Sequence, residues 1–216
     1  MEDLENQPKA KRTISYDRPQ SSTIFRISWY AIGRKPGVML NEYSEGEGKM
    51  FKGKAMFMVP LDDTKTQVRL WVEEAQRSIE LTAWGTDEGM LTDYLDDVVS
   101  RLETYIAKYL ELSDEDRQKV RRALVAKTCW DRIIHQILNK APLSSIYVQI
   151  AHGREMMIKA TEGEEIRPLA LTTSGWLTKI EDLPHDEVPP SDIAENIAKK
   201  SIEWKKETHE VIGHYL

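Results

Sequence analysis

Alternating apolar and polar side chains run through residues 23–83 and predict β-strands. In residues 23–32, Phe25, Ile27 and Trp29 fall on one side, and the polar residues between them fall on the other. This is the period of a half-buried strand. Similar stretches predict strands over residues 38–43, 51–59, 68–72 and 79–83. We therefore predict an antiparallel meander of four or five strands.

The segment over residues 66–82 allows two interpretations. Its apolar positions alternate with Gln67, Arg69 and Trp71, which indicates a strand. The residues from Glu73 to Gln76 make a poor hairpin turn, so a single helix over the same segment is the alternative.

Residues 86–138 change to apolar spacings of three and four, which predict two helices. Thr86 or Asp87 caps the first helix. Ser113 caps the second, acidic residues follow it where the helix dipole favours negative charge, and Pro142 ends it. Because the link between the helices is short, they are expected to form an antiparallel hairpin.

The chain beyond Pro142 again alternates, with glycine-containing turns between the apolar runs. The predicted strands cover residues 145–151, 156–161, 166–172 and 176–181. A link with three prolines follows over residues 183–190 and is expected to be extended. The last helix, residues 191–216, begins at Ser191 and carries Trp204 on a narrow apolar stripe. The stripe suits either docking on the sheet or pairing with another chain.

These elements predict an α+β fold: an antiparallel β-meander in one or two sheets, packed against a central antiparallel helical hairpin, plus a C-terminal helix. Residues 1–22 hold few apolar groups and are predicted to be a disordered arm. The predicted organisation is this arm, a globular domain over residues 23–182, the link and the C-terminal helix.

Composition limits the classes of protein that fit. Hydrophobic residues make up 40% of the 216 residues, which predicts one well-buried core. The single cysteine, Cys129, excludes an intramolecular disulfide and a cysteine-based zinc cluster, and it favours a reducing compartment. The sequence contains no apolar run long enough for a membrane span or a signal peptide, so a cytoplasmic protein is expected.

Motifs that carry chemistry fail by their spacing. His209 and His214 are five residues apart, whereas a zinc-protease helix needs histidines at i and i+4. Cys129 and His135 lie on one helix but about 240° out of phase, so they do not form a nucleophile and its base. We therefore predict no catalytic residue, metal or cofactor.

Charge is distributed unevenly along a chain whose net charge is -6. Ten carboxylates lie between Asp87 and Asp116, and cations follow on the second helix. Opposed charges of this kind are expected on two solvated helix faces that attract each other within the chain. The alternative is a bipolar surface through which like subunits pair head to tail. The candidate interaction residues are a basic cluster in the arm, four cations of the second helix and one tryptophan: Lys9, Lys11, Arg12, Arg117, Lys119, Arg121, Arg122 and Trp204.

The predicted function is a non-catalytic structural or interaction protein that self-associates or acts as a scaffold, with protein partners and a homo-oligomeric state. A viral matrix or assembly protein is one form, because a compact body with a basic arm suits a coat layer. One alternative is a ligand-binding or enzymatic domain built from scattered residues: Asp131, His135, His152 and Arg154. A second alternative is a nucleic-acid-binding protein that uses the basic arm and the second helix. Anionic membrane is a further candidate partner, and the basic cluster over residues 9–12 also suits nuclear entry.

Overall fold

The computed structural model describes residues 6–46, 50–61, 64–162 and 180–216. The predicted α+β class is confirmed by a five-stranded antiparallel sheet, long helices and a C-terminal helix. The chain divides into two compact units, Met1–Glu111 and Leu112–Leu216. All five described strands and two helices belong to the first unit, and the globular domain over residues 23–182 stays a prediction.

The five strands form one sheet in the order β1-β5-β4-β3-β2. Strands β2 to β5 are neighbours in sequence as well as in space, which confirms the predicted meander. The strand bounds are β1 Lys9–Ser15, β2 Met39–Gly46, β3 Lys52–Leu61, β4 Thr64–Glu73 and β5 Ser78–Trp84.

Strands β4 and β5 form a hairpin, so the helical interpretation of residues 66–82 is wrong. Leu70 pairs with Leu81 in its antiparallel register. The turn is a short 3-10 helix, Glu74–Gln76, followed by Arg77 at a φ of 45°. The Arg77 N–H donates to the carbonyl of Glu74 at 3.1 Å. A backbone hydrogen bond therefore closes a turn that the residue types do not predict.

Residues 9–15 were expected in a disordered arm, and they instead form β1 at the edge of the sheet. The strand pairs with β5 along its whole length, and Ala10 is buried opposite Ala83. Its apolar content is too low to mark it as a strand. The strand is stabilised by backbone hydrogen bonds and by the ion pair of Arg12 with Asp96, neither of which a local pattern contains.

Residues 23–32 were predicted as a strand, and they instead form helix α1, Ser21–Ile32. Ten of its twelve residues are buried, so the helix lacks the polar face that gives a period of 3.6. Phe25, Ile27 and Trp29 therefore matched a period of two by coincidence. The Ser28 hydroxyl donates to the carbonyl of Ile24 at 2.8 Å, which satisfies that polar group inside the helix.

Both helices of the first unit, α1 and α2 (Glu88–Glu111), pack on the same face of the sheet. Gly53 in β3 lies directly beneath α1, and a Cβ there would be 2.7 Å from the ring of Phe25. Helix α2 lies against β1, β5 and α1. Its buried side chains form the predicted apolar stripe: Leu91, Tyr94, Leu95, Val98, Leu102 and Tyr109.

The described residues of the second unit form three long helices: α3 Asp114–Leu138, α4 Leu143–Ala160 and α5 Ser191–Tyr215. The predicted second and C-terminal helices are confirmed, and the Ser113 hydroxyl caps α3 by accepting from the Asp116 N–H at 3.1 Å. Helix α3 packs against both α4 and α5. The core of this unit is therefore a helical one.

The strands predicted over residues 145–151 and 156–161 are wrong, because both stretches belong to α4. Gly153 was taken for a turn between them. It is instead a contact point between helices, where a Cβ would lie 2.6 Å from the Trp130 ring of α3. A glycine required for close packing has the same appearance in sequence as a glycine required for a turn.

The other predicted strands, residues 166–172 and 176–181, lie outside the described residues except for their last two positions. The predicted link over residues 183–190 lies within the described residues, and its backbone is hydrogen-bonded to the start of α4. The N–H groups of Leu143 and Ser144 donate to the carbonyls of Glu187 and His185 at 2.9 and 2.8 Å. The link therefore supplies acceptors to first-turn N–H groups, which have no partner within a helix.

Candidate interaction surface

The face of the sheet opposite α1 and α2, here called the outer face, carries large apolar and charged side chains in cross-strand rows. Because successive side chains of a strand point to opposite faces, the strand register defines these rows. One row consists of Lys9, Trp84, Gln67, Met58 and Met39. The next row consists of Lys11, Thr82, Arg69, Met56 and Glu42. The row after that consists of Thr13, Glu80, Trp71, Lys54 and Ser44.

Two tryptophans and Met39 contribute exposed apolar area to the outer face. Trp71 and Trp84 are both partly exposed. Met39 is 47% exposed on the edge strand β2. Tryptophan, arginine and methionine are enriched at protein interfaces, and tryptophan and arginine dominate their binding energy.

Glu80 organises the charges at the centre of the outer face. Its carboxylate lies 2.6 Å from the Lys11 ammonium and 2.8 Å from the Arg69 guanidinium. Partial burial alone would raise the pKa of Glu80, and the hydrogen bonds and positive charges of Lys11 and Arg69 outweigh it, so the pKa is lowered. The Arg69 guanidinium also lies 5.2 Å from the centre of the Trp84 ring, as a cation–π contact.

Two more ion pairs lie on β2, β3 and β4. The Lys52 ammonium is 2.7 Å from the Glu73 carboxylate, and the Lys54 ammonium is 2.9 Å from the Glu42 carboxylate. With Lys9, Lys11 and Arg69, the outer face has more cations than carboxylates, whereas the whole chain has a net charge of -6. The outer face is therefore locally positive on an acidic protein.

The helices of the first unit present the opposite charge. All six carboxylates of α2 are exposed: Glu88, Asp93, Asp96, Asp97, Glu103 and Glu111. At 100° per residue they occupy the half of the helix away from its buried stripe. Arg101 and Lys108 are the cations of this helix. The first unit thus carries a positive sheet face and an acidic helix face on its two sides.

Comparison with protein-family models, curated proteins and solved structures gives no match for this chain. Within the described ranges, no three His, Cys, Asp or Glu side chains come together as a metal site. Those ranges also contain no helix of the length and apolarity that a membrane crossing requires.

The predicted basic cluster of the arm is divided between the two faces of the sheet. Lys9 and Lys11 lie on the outer face, and Arg12 lies on the helix side, where its guanidinium is 2.6 Å from the Asp96 carboxylate. The three cations therefore do not act as one flexible basic arm. Two of them contribute to the outer face instead.

The predicted cations of the second helix lie on α3, in the second unit. Arg117 and Lys119 have acidic neighbours one turn away, Asp114 at 3.4 Å and Glu115 at 3.6 Å. The Arg122 guanidinium donates to the carbonyl of Lys159 at 2.8 Å, which ties α3 to the end of α4. Arg121 is partly exposed on the same helix.

Trp204 was predicted to contact a partner, and it instead belongs to the core of the second unit. It is 3% exposed, and its ring centre lies 4.9 Å from that of Trp130. The Trp130 indole N–H donates to the Thr208 hydroxyl at 2.9 Å, so the same region of α5 also satisfies the polar atom of Trp130. The apolar stripe of α5 is used within its own chain.

A buried charge cluster joins α3 to α5, and sequence analysis did not predict it as a unit. Both ammonium groups, of Lys127 and Lys205, lie 2.7 Å from the Asp131 carboxylate. The Lys127 and Asp131 side chains are 1% and 5% exposed. Charge at i and i+4 in α3 was a usable signal, but the third member, Lys205, lies far away in sequence.

Burial and charge act differently on the members of this cluster. Burial lowers the pKa of Lys127 to about 8 against the attraction of Asp131, and repulsion from Lys205 adds to the lowering. Burial would raise the pKa of Asp131, but the two neighbouring ammonium groups outweigh it and hold that pKa well below its usual range. The pKa shifts differ in this way because two cations share one carboxylate.

The scattered residues considered for a catalytic site have separate surroundings. His152 is exposed on α4, and Arg154 is partly buried on the same helix. The His135 ring, near the end of α3, lies 3.1 Å from the side-chain amide of Asn139. Asp131 is paired with the buried Lys127 and the partly exposed Lys205. Cys129 is buried as well.

Proposed function

We propose that this chain is a non-catalytic interaction protein that uses the outer face of its sheet to bind a protein partner. The observation that carries the proposal is the position of Trp71 and Trp84, which are partly exposed on the face opposite both helices of the first unit. Arg69 holds its guanidinium against Trp84 and completes a set of side chains with the composition of an interface centre.

The charges of the chain support a binding role over catalysis. A catalytic acid or base with a shifted pKa must reach its substrate. Lys127 and Asp131 have strongly shifted pKa values, but their side chains are almost completely buried and paired with each other. Glu80 on the outer face is held ionised between two cations, which suits a fixed surface charge. An assembly protein, of which a viral matrix protein is one kind, fits this arrangement.

Site-specific photo-crosslinking tests the proposal. A photoreactive amino acid at Met39, on the outer face, is expected to give an adduct with a polypeptide of defined mass. A second chain labelled at Val148, which is 59% exposed on α4, is the matched control and is expected to give none. The adduct at position 39 should disappear in a Trp71→Ser/Trp84→Ser variant whose circular dichroism is unchanged.

Two results would overturn the proposal. One is the absence of any polypeptide adduct at position 39, in both the purified chain and a lysate of its source. The other is equal crosslinking at positions 39 and 148, since that pattern indicates collision rather than a surface. Loss of the adduct only in a variant that has also unfolded does not count, which is why circular dichroism accompanies each measurement.

A further inference from the structure

We infer that the occupant of the outer face is a second copy of this chain, which presents the acidic outer side of its α2 helix. This inference rests on the proposed function and names the partner. The assembly it describes is head to tail: the sheet face of one copy binds the helix face of the next. Such a contact leaves one free surface of each kind at the ends, so assembly continues beyond a dimer.

Charge complementarity is the first argument. On the outer face, Lys11 and Arg69 share one carboxylate, Glu80, and Lys9 makes no ion pair within the described residues, so positive charge is in excess. On α2, Asp93 and Glu103 are exposed and make no ion pair with any described residue. Complementary surfaces of this kind direct encounter and orientation, and they oppose pairing of two sheet faces or two helix faces.

Shape is the second argument. Helix α2 has 24 residues, and its length is about 36 Å at 1.5 Å per residue. Strands β3 and β4 have ten residues each, about 33 Å when extended. The acidic helix therefore matches the length of the strands on which it would lie. The sheet already packs two helices on its other side, so a helix is an occupant that its twist accommodates.

An apolar contact near the C-terminal end of α2 adds to the argument. Leu110 is 39% exposed on α2, within the same half of the helix as the carboxylates. Trp71 and Trp84 offer partly exposed rings on the opposing surface. An apolar contact of this kind adds binding energy beside ion pairs that supply specificity.

The mass of the purified full chain in solution gives the first test. At about 20 mM salt, light scattering is expected to show a mass that rises with concentration past that of a dimer. At about 500 mM salt it should return to the 24.9 kDa of the monomer, because the screening length shortens. A chain that stays monomeric up to about 1 mM at low salt overturns the inference.

Two variants, each changed on one surface, give the decisive test. Lys9→Glu/Lys54→Gln weakens the sheet face, and Asp93→Lys/Glu103→Lys weakens the helix face. Each alone is expected to need at least tenfold more protein to assemble. Mixed in equal amounts, they should form a one-to-one dimer and stop, because each retains the surface that the other lacks. Glu195→Lys/Glu210→Lys on exposed α5 positions is the matched charge control and should assemble like the unchanged chain.

The outcomes separate the inference from the proposed function. A symmetric dimer that the helix-face variant does not disturb overturns head-to-tail assembly. A monomeric chain whose position 39 crosslinks to a different polypeptide overturns self-assembly and keeps the proposed function. A monomeric chain whose tryptophan fluorescence is quenched by a single-stranded oligonucleotide in a salt-dependent way overturns the inference, because the partner is then a nucleic acid.

Discussion

Lys127 and Asp131 face each other one helical turn apart in α3, with 2.7 Å between ammonium and carboxylate, and both are almost completely buried. Lys205 of α5 meets the same carboxylate at 2.7 Å. A buried ion pair is a weak source of net stability, since desolvation offsets the attraction. Loss of one member is costly, because it leaves an uncompensated charge in a medium of low polarity.

Asp131→Asn is therefore expected to lower the free energy of unfolding by about 3–5 kcal/mol, since it leaves the buried Lys127 and the partly exposed Lys205 with no counter-charge. Lys127→Met is the matched control. It replaces one cation with an apolar side chain of similar length and leaves Asp131 paired with Lys205. The free energy of unfolding is therefore expected to change by no more than about 1 kcal/mol. Urea unfolding followed by tryptophan fluorescence measures both. Equal losses in the two variants would contradict the asymmetry of the cluster.

Alkaline pH is expected to stabilise the unchanged chain relative to Lys127→Met. In the folded chain the pKa of Lys127 is about 8, and in the unfolded chain it returns to about 10.5. Between these values the unfolded chain binds a proton that the folded chain has released, so the free energy of unfolding rises with pH. The rise is at most about 3 kcal/mol. Urea titrations of both proteins from pH 8 to 10.5 test it, and a constant difference between them would exclude it.

Gly153→Ala is expected to destabilise the second unit by about 1–3 kcal/mol, although alanine is the better helix former. The added Cβ would lie 2.6 Å from the Trp130 ring and 3.0 Å from Cys129, inside a packed helix contact. Gly213→Ala, at an exposed position of α5, is the control and should be neutral or slightly stabilising. Thermal unfolding of the two variants measures the contrast. A stabilised Gly153→Ala would show that α3 and α4 are packed less closely.

Removal of residues 1–15 is expected to lower the melting temperature, because it deletes β1 and exposes the edge of β5. Removal of residues 1–7 leaves β1 intact and serves as the control. The longer deletion also removes Arg12, the partner of Asp96 on α2. Calorimetry on the two truncated chains tests this point, and an unchanged melting temperature for the longer deletion would support the original expectation of a dispensable arm.

The sequence predicted those elements whose burial is one-sided. Helices α2, α3 and α5 carry apolar stripes and polar backs, and strands β3 and β4 alternate, so a local period reveals them. Helix α1 is buried almost all round, and helix α4 contains a glycine set against Trp130, so in both cases a local pattern gave the wrong period. Contacts with distant residues decide the structure there.

Among the surface residues, a local pattern reveals some, and contacts with distant residues decide the others. The alternation in β4 separates Arg69 and Trp71 from the apolar positions of the strand, and the structure places both on the outer face. Register with β5 and β1 is what adds Trp84 and Lys11 to that side, and strand register is a property of several segments at once. Trp204 was misassigned because a tryptophan among charges looks exposed until the facing helix is known.

The place of β1 in the sheet has a consequence for synthesis on the ribosome. Lys9 pairs with Trp84, so the strand made first must wait for the strand made last before either is complete. During that interval β2, β3 and β4 can already associate as neighbours, while the segment that becomes β1 stays unpaired. A pairing between such distant segments is slow to form, because loop closure costs entropy before contacts repay it. The pairing of β1 with β5 is therefore expected to be a late folding step, and it completes the sheet of the first unit.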